Sequence, residues 1–218
     1  MIEIIPSFLV QSEKEFTKKY TALKDSVDMI QVDIADGLFV PNTTWANPDV
    51  IKKIVNLDIE LHLMVSDPLE ELKKWQTVEQ VKRIFVHYES TDLAEIMPTL
   101  HAYGWDIGIV LNPQTKSSVL EPFIDEIKAV MFMGVVPGKQ GQPFIPEVLD
   151  KIKLFRLQHP EIFISIDGAV NNTTLPDIVE TGVNAICPGR AIIGKGSPEK
   201  NVQAMQKCIH TLTDNQVN

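Results

Sequence analysis

The sequence predicts a (β/α)₈ barrel, and three observations carry that expectation. Short apolar runs alternate with amphipathic segments at a steady pace along the 218 residues. The apolar runs are continuous, as in parallel strands buried on both faces. The glycine-rich first turn that an open doubly wound sheet would carry is missing. We therefore expect one α/β domain, residues 1–218, within the size range of such barrels.

The predicted strands are residues 2–6, 29–33, 59–64, 84–87, 107–111, 129–133, 163–166 and 185–187. Between them, helices are predicted at 13–23, 47–55, 68–75, 92–103, 116–123, 146–159, 174–181 and 198–212. Ser12 with Glu15 forms a capping box ahead of the first helix, and Asp67-Pro68 places proline in a first helical turn. Gly104 and Gly182 stand where C-cap glycines belong.

A hydrophobic fraction of 44% and a charged fraction of 22% are ordinary for a soluble globular chain. No run of about 18 apolar residues is present, so no membrane span is expected. The opening stretch, from Met1 to Val10, lacks a basic start and a small-residue cleavage site, and reads as a first strand. Two cysteines, Cys187 and Cys208, without metal-type spacing, suit a reduced, cytoplasmic protein. A net charge of −9 with no basic stripe excludes a nucleic-acid surface. It also means that an anionic substrate needs a locally positive or amide-lined niche.

In a barrel, chemistry gathers where strands end. The polar or distinctive residues at those positions are Ser7, Gln31, Asp33, His62, Met64, His87, Asn112, Gly134, Asp167 and Gly189-Arg190. Gln31 and Asp33 are two apart and share a side of their strand. Asp33, His62 and Asp167 would converge from three strands, suiting acid–base work or a divalent metal. The plainer readings are helix caps for the carboxylates and satisfied core positions for the histidines. His87 is assigned to the core, and Met64 and Met133 are most simply fillers of the barrel top.

Several blocks resemble the ribulose-phosphate 3-epimerase family. They are Ile5-Pro6-Ser7, the stretch from Val32 to Asn42 (VDIADGLFVPN), His62-Leu63-Met64-Val65, and Val110-Leu111-Asn112-Pro113. The stretch from Pro137 to Pro146 (PGKQGQPFIP) and Ile166-Asp167-Gly168-Ala169-Val170-Asn171 complete the ordered set. The resemblance implies the same barrel and inversion of carbon 3 in a ketopentose 5-phosphate, interconverting ribulose and xylulose 5-phosphates. It implies that Asp33 and Asp167 are the acid–base pair. It also implies a divalent metal (Zn, Mn, Fe or Mg) held by two His and two Asp, of which Asp33, His62 and Asp167 match three. The fourth ligand departs: the family's His-Val-Asp reads Gln31-Val32-Asp33 here. An amide oxygen is a weaker ligand for zinc than imidazole and shifts the set toward Mn²⁺ or Mg²⁺, or toward no metal at all. Ala35 replaces the methionine usual in the family, which would enlarge the pocket or alter its apolar wall.

By resemblance, backbone amides of the turns at Gly138-Lys139-Gln140-Gly141, Gly168-Ala169 and Gly189-Arg190 hold the sugar phosphate, with Ser7, His62 and Met64 also on the substrate. Gly189-Arg190-Ala191-Ile192 looks more like the phosphate turn of orotidine-phosphate decarboxylase relatives, whose arginine grips phosphate. Those enzymes carry an Asp-x-Lys-x-x-Asp block, whereas this chain has Asp33-Ile34-Ala35-Asp36 and no lysine there. The expected partner is a small phosphorylated sugar, and homo-oligomers are expected by family analogy. A ketohexose substrate such as allulose 6-phosphate and a non-catalytic sugar-phosphate binder are the alternatives.

Overall fold

The computed structural model describes residues 2–138, 141–194 and 196–217, with residues 215–217 described for their backbone only. Its strands are β1 (Glu3–Ile4), β2 (Ser7–Phe8), β3 (Met29–Ala35), β4 (Asp58–Met64) and β5 (Val81–His87). They continue with β6 (Asp106–Leu111), β7 (Ala129–Met133), β8 (Phe163–Asp167) and β9 (Ala185–Cys187). All pairings are parallel, in the order β1-β9-β8-β7-β6-β5-β4-β3-β2.

The first and last places in that order belong to one extended stretch, so the sheet closes into a barrel. Ile5 N–H donates to Ile186 O at 3.0 Å and Ser7 N–H to Pro188 O at 3.3 Å, while Gln31 N–H donates to Pro6 O at 3.0 Å. The sequence predicts one strand over 2–6; the chain instead forms two short pieces separated by Ile5-Pro6. Pro6 has no N–H to give a ladder, so the regular pairing breaks there and resumes toward Phe8.

The helices are α1 (Glu13–Thr21), α2 (Pro48–Ile54), α3 (Pro68–Lys73), α4 (Leu93–Tyr103), α5 (Glu147–Gln158), α6 (Leu175–Val179), α7 (Arg190–Ile193) and α8 (Pro198–Val217). Ser12 Oγ accepts Glu15 N–H at 3.2 Å, and the Glu15 carboxylate reaches back to Gln11 N–H at 3.0 Å. Asp67 caps α3 with Pro68 in its first turn, and Gly104 closes α4 in the left-handed region at φ 76°. The segment predicted as a helix at 116–123 is a 3₁₀ turn, Ser117–Phe123. Pro122 lies inside it, and a proline ring there would clash with the carbonyl one α-turn earlier. Among the described residues, no helix is long and apolar enough to cross a membrane.

Outward strand residues such as Val32, Leu61, Ile84, Ile109 and Ile166 are buried against the helices in one large apolar cluster. Inside the barrel, Ile5, Phe85, Val110, Met131, Met133 and Cys187 form a second. The interior is also unusually polar. Gln31, Asp33, Glu60, His62, His87, Ser165 and Asp167 are all buried.

Low in the barrel, Glu60 Oε2 pairs with Arg83 Nη1 at 3.1 Å, and the guanidinium lies over the Phe163 ring, 4.0 Å from its centroid. Burial pushes the Glu60 carboxyl up to about 7 against the pull of Arg83. Its folded pKa thus lies above the ordinary 4.5, so this group's contribution to stability declines as pH rises from 4.5 toward about 7. Removing Arg83 leaves that charge unpartnered. We predict that Arg83→Met lowers unfolding free energy by about 3 kcal/mol at pH 8, a typical cost of breaking a buried pair. The loss should be clearly smaller at pH 5, where Glu60 carries a proton. Urea titrations at both pH values check this; equal losses would remove Glu60 from the explanation.

Candidate active site

Strand register brings the site together. Asp33 lies beside His62 across β3 and β4, Met133 beside Asp167 across β7 and β8, and Ala35 beside Met64. One cavity of about 530 Å³ opens above them. It is bordered by Asp33, Asp167 and, among the described residues that the sequence assigned to substrate, Ser7, His62, Met64, Gly138, Gly141, Gly168, Ala169, Gly189 and Arg190. Gln31 is the exception. It is fully buried and supports the site from outside the cavity lining.

There its amide ties the polar cluster together. As the hydrogen-bond network assigns the amide, Nε2 donates to Asp33 Oδ1 at 2.7 Å and to Asp167 Oδ2 at 3.0 Å, and stands 3.3 Å from His62 Nδ1. His62 Nδ1 lies 3.0 Å from Asp33 Oδ1 and 3.3 Å from Asp167 Oδ2. Burial alone would depress the His62 pKa, but hydrogen bonds and charge from Asp167 and Asp33 outweigh it and raise it to about 10. Burial raises the Asp33 carboxyl, and the charge of Asp167 adds to the rise, while His62 and Gln31 oppose it. A positive imidazolium and one amide therefore hold two facing carboxyl groups in a buried floor.

The same residues fit a divalent cation. Suitable ligand atoms of Asp33, His62 and Asp167 all lie within 4.8 Å of one another. Ligands at about 2.0–2.2 Å from one ion place neighbouring donors about 3 Å apart, as His62 Nδ1 is from each carboxylate. With the Gln31 NH₂ turned inward, its Oε1 is buried without a hydrogen-bond partner. A half-turn of the amide exchanges the two atoms and presents an oxygen, the kind of ligand that suits a harder ion.

At the rim, the turns after β7, β8 and β9 meet. Gly141 is at φ +82°, and a Cβ there would stand 2.6 Å from Arg190 Nη2, so the guanidinium lies against a backbone that only glycine leaves open. After β8, Gly168 is at φ +103° and Ala169 at φ +54°, two successive left-handed residues. The Ala169 carbonyl is occupied by Asn171 Nδ2 at 2.6 Å and Thr174 Oγ1 at 2.9 Å. Such strain in a non-glycine residue persists where surrounding structure demands it. Lys139 and Gln140, which the sequence places in the first of these turns, lie outside the described residues. Arg190 opens α7, a short helix that strand-and-helix alternation did not predict.

Two sequence readings change. Ala35 does not border the cavity; it packs with Val40 and Met64 beneath Leu9 and Phe39, so its small side chain widens nothing directly. His87, read as a core residue, is buried but places Nε2 2.9 Å from His62 Nε2, in contact with the site. Leu9, Val135 and Gln142 also border the cavity and escaped notice, because none occupies a polar strand end. Asp36, by contrast, organises the loop after β3: Leu38 N–H, Phe39 N–H and both donors of Ser66 converge on it, holding its carboxyl at about 2 despite partial burial.

A closed barrel with a cavity at its strand ends, floored by two carboxyl groups and an imidazole, has the anatomy of a barrel enzyme. The match to known proteins agrees. Residues 3–193 match the family described as the Ribulose-phosphate 3 epimerase family, and the chain belongs to it. It is 32% identical to "Ribulose-phosphate 3-epimerase" of Schizosaccharomyces pombe, over 95% of this chain and 93% of that one. The Bacillus subtilis protein of the same name is 31% identical, over 94% and 99%. Among solved structures, KGPDC from Streptococcus mutans matches with TM-score 0.78, covering 97% of this chain and 98% of that one. At 13% identity, that likeness is one of fold alone.

The His62 environment makes a prediction. Its folded pKa of about 10 exceeds the ordinary 6.5, so the stabilisation is full below 6.5 and is lost as pH rises through about 10. In chelator-treated protein, the drop in unfolding free energy between pH 7 and 10 should be smaller for Asp167→Asn than for the parent. Parallel pH dependences would show that the Asp167–His62 contact carries no such energy.

Proposed function

We propose that the chain is a 3-epimerase of a ketose phosphate, with D-ribulose 5-phosphate and D-xylulose 5-phosphate as its pair. The observation that carries this reading is the convergence of Asp33 and Asp167, 134 positions apart in the chain, on the floor of one cavity. Inversion needs two such groups. The proton on carbon 3 lies beside the ketone, and its removal leaves an enediolate. One carboxylate takes that proton from one face, and the other acid returns a proton to the opposite face. Burial raises the proton affinity of Asp33, as suits a group that must accept a proton near neutral pH. His62 bonds to both carboxyl groups and keeps them turned to the cavity. Met64 and Met133 supply an apolar wall.

Asp33, His62, Asp167 and, through Oε1, Gln31 would hold a divalent cation, whose charge would offset the charge developing on the enediolate. Arg190 and the strained turn at Gly168-Ala169 support binding of the phosphate, the one locally positive niche an acidic chain needs. In this reading, the barrel is one domain across residues 1–218. Cytoplasmic residence and association between copies of the chain belong to the same proposal.

Asp33→Asn and Asp167→Asn should each lower kcat by about 10²- to 10⁴-fold, the range for a lost general acid or base. Arg190→Met should act mainly on KM. The assay is conversion of ribulose 5-phosphate in D₂O with deuterium tracked at carbon 3; no incorporation at high enzyme concentration rejects the epimerase. One observation favours a second reading, a binder without turnover: the Gln31 amide donates to both carboxylates and occupies their lone pairs. That reading requires phosphate-ligand binding without exchange, and metal content and turnover appearing with Gln31→His.

A further inference from the structure

Behind the carboxylate pair runs a line of side chains that the proposed chemistry does not use. His62 Nε2 lies 2.9 Å from His87 Nε2, and the buried His87 Nδ1, which makes no hydrogen bond, has Glu89 Oε2 at 3.5 Å. The two rings have centroids 5.1 Å apart and planes inclined by 27°. With their Nε2 atoms at 2.9 Å, that is an end-to-end, nearly coplanar pair, the geometry of an N–H···N bond and not of stacked faces. Both rings are fully buried, and Phe39 covers His87 from one side at 4.9 Å.

The direction of this line follows from elementary donor bookkeeping. Only one proton fits between the two Nε2 atoms. If His87 gave it, His87 Nδ1 would turn a bare lone pair toward the Glu89 carboxylate. If His62 gives it, His87 Nδ1 carries the other proton on the side of the Glu89 carboxylate, 3.5 Å away and short of a formed hydrogen bond, and charge and dipole agree. Glu89 is held for this by its second oxygen, Oε1, which accepts Asn112 N–H at 2.9 Å and the Thr115 hydroxyl.

We propose that Glu89 and His87 are positioning residues that fix the proton of His62 on Nε2, so that Nδ1 is always the atom presented to Asp33 and Asp167. This rests on the reading of Asp33, His62 and Asp167 as the reactive, cation-holding cluster. It extends that reading to a carboxylate–imidazole–imidazole line reaching from the site to the loop after β6. A ligand histidine braced in this way has a fixed ring angle and a more basic inner nitrogen.

The signature is spectroscopic and needs no turnover. In water, a neutral histidine favours the proton on Nε2, whereas here His87 should show the rarer form, with Nδ1 protonated and Nε2 bare. Nitrogen-15 spectra of chelator-treated protein, labelled at histidine, read this directly. Glu89→Gln should return His87 to a mixture of the two forms. Titration with Mn²⁺ or Zn²⁺ alone should show affinity lower by about 10- to 100-fold in Glu89→Gln and His87→Gln. Glu126→Gln is the control, since Glu126 faces the exposed His101 and touches no member of the line; it should leave the His87 form and the metal affinity unchanged. A parent spectrum with His87 protonated on Nε2, or a Glu126→Gln effect equal to that of Glu89→Gln, overturns the proposal. If the His87 form responds as expected but no variant or parent binds metal, the positioning line stands and the cation reading fails.

Discussion

Two carboxyl groups brought close together in a buried floor repel each other, and much of the barrel interior is arranged around relieving that repulsion. The His62 ring sits within 3.3 Å of both, and the Gln31 amide donates to both. Without these two side chains, one carboxyl would simply keep its proton, because burial penalises the second charge. With them, the floor can hold charge and still face an open cavity.

This constraint also explains the unusual polarity below the site. A buried imidazolium needs its outer nitrogen satisfied, and His87 is the neighbour that does so. Burial and the adjoining His62 hold His87 down to about 4, against the pull of Glu89, which keeps it neutral and able to accept. One layer deeper, Glu60 pairs with Arg83 and accepts from Cys187, and it also feels the charges of His62 and Asp167 above it.

The departure at Gln31 takes its meaning from the same interaction. Imidazole and amide are both neutral ligands, but only the amide can donate two hydrogen bonds from one nitrogen. Here Gln31 Nε2 bridges Asp33 and Asp167. At the rim, Arg190 leans on Gly141 of a different turn, joining two loops through a single guanidinium.

Much of this was legible in the residues themselves. Continuous apolar runs placed seven strands closely, because a parallel strand buried on both faces must be apolar throughout. The period of two put Gln31 and Asp33 on one side, and strand-end position selected Asp33, His62 and Asp167. What the residues could not reveal depended on distance between segments remote in the chain. The ring closes through a stretch interrupted by Pro6, whose pairing partners lie at opposite ends of the sequence. His87 looked like core because burial and function are the same address in a barrel interior; only the 2.9 Å contact with His62 separates them. Ala35 looked like a wall residue because strand position says which way a side chain points, but not what folds over it. Residue types and their spacing determined which groups face inward; which of those groups touch was decided by packing alone.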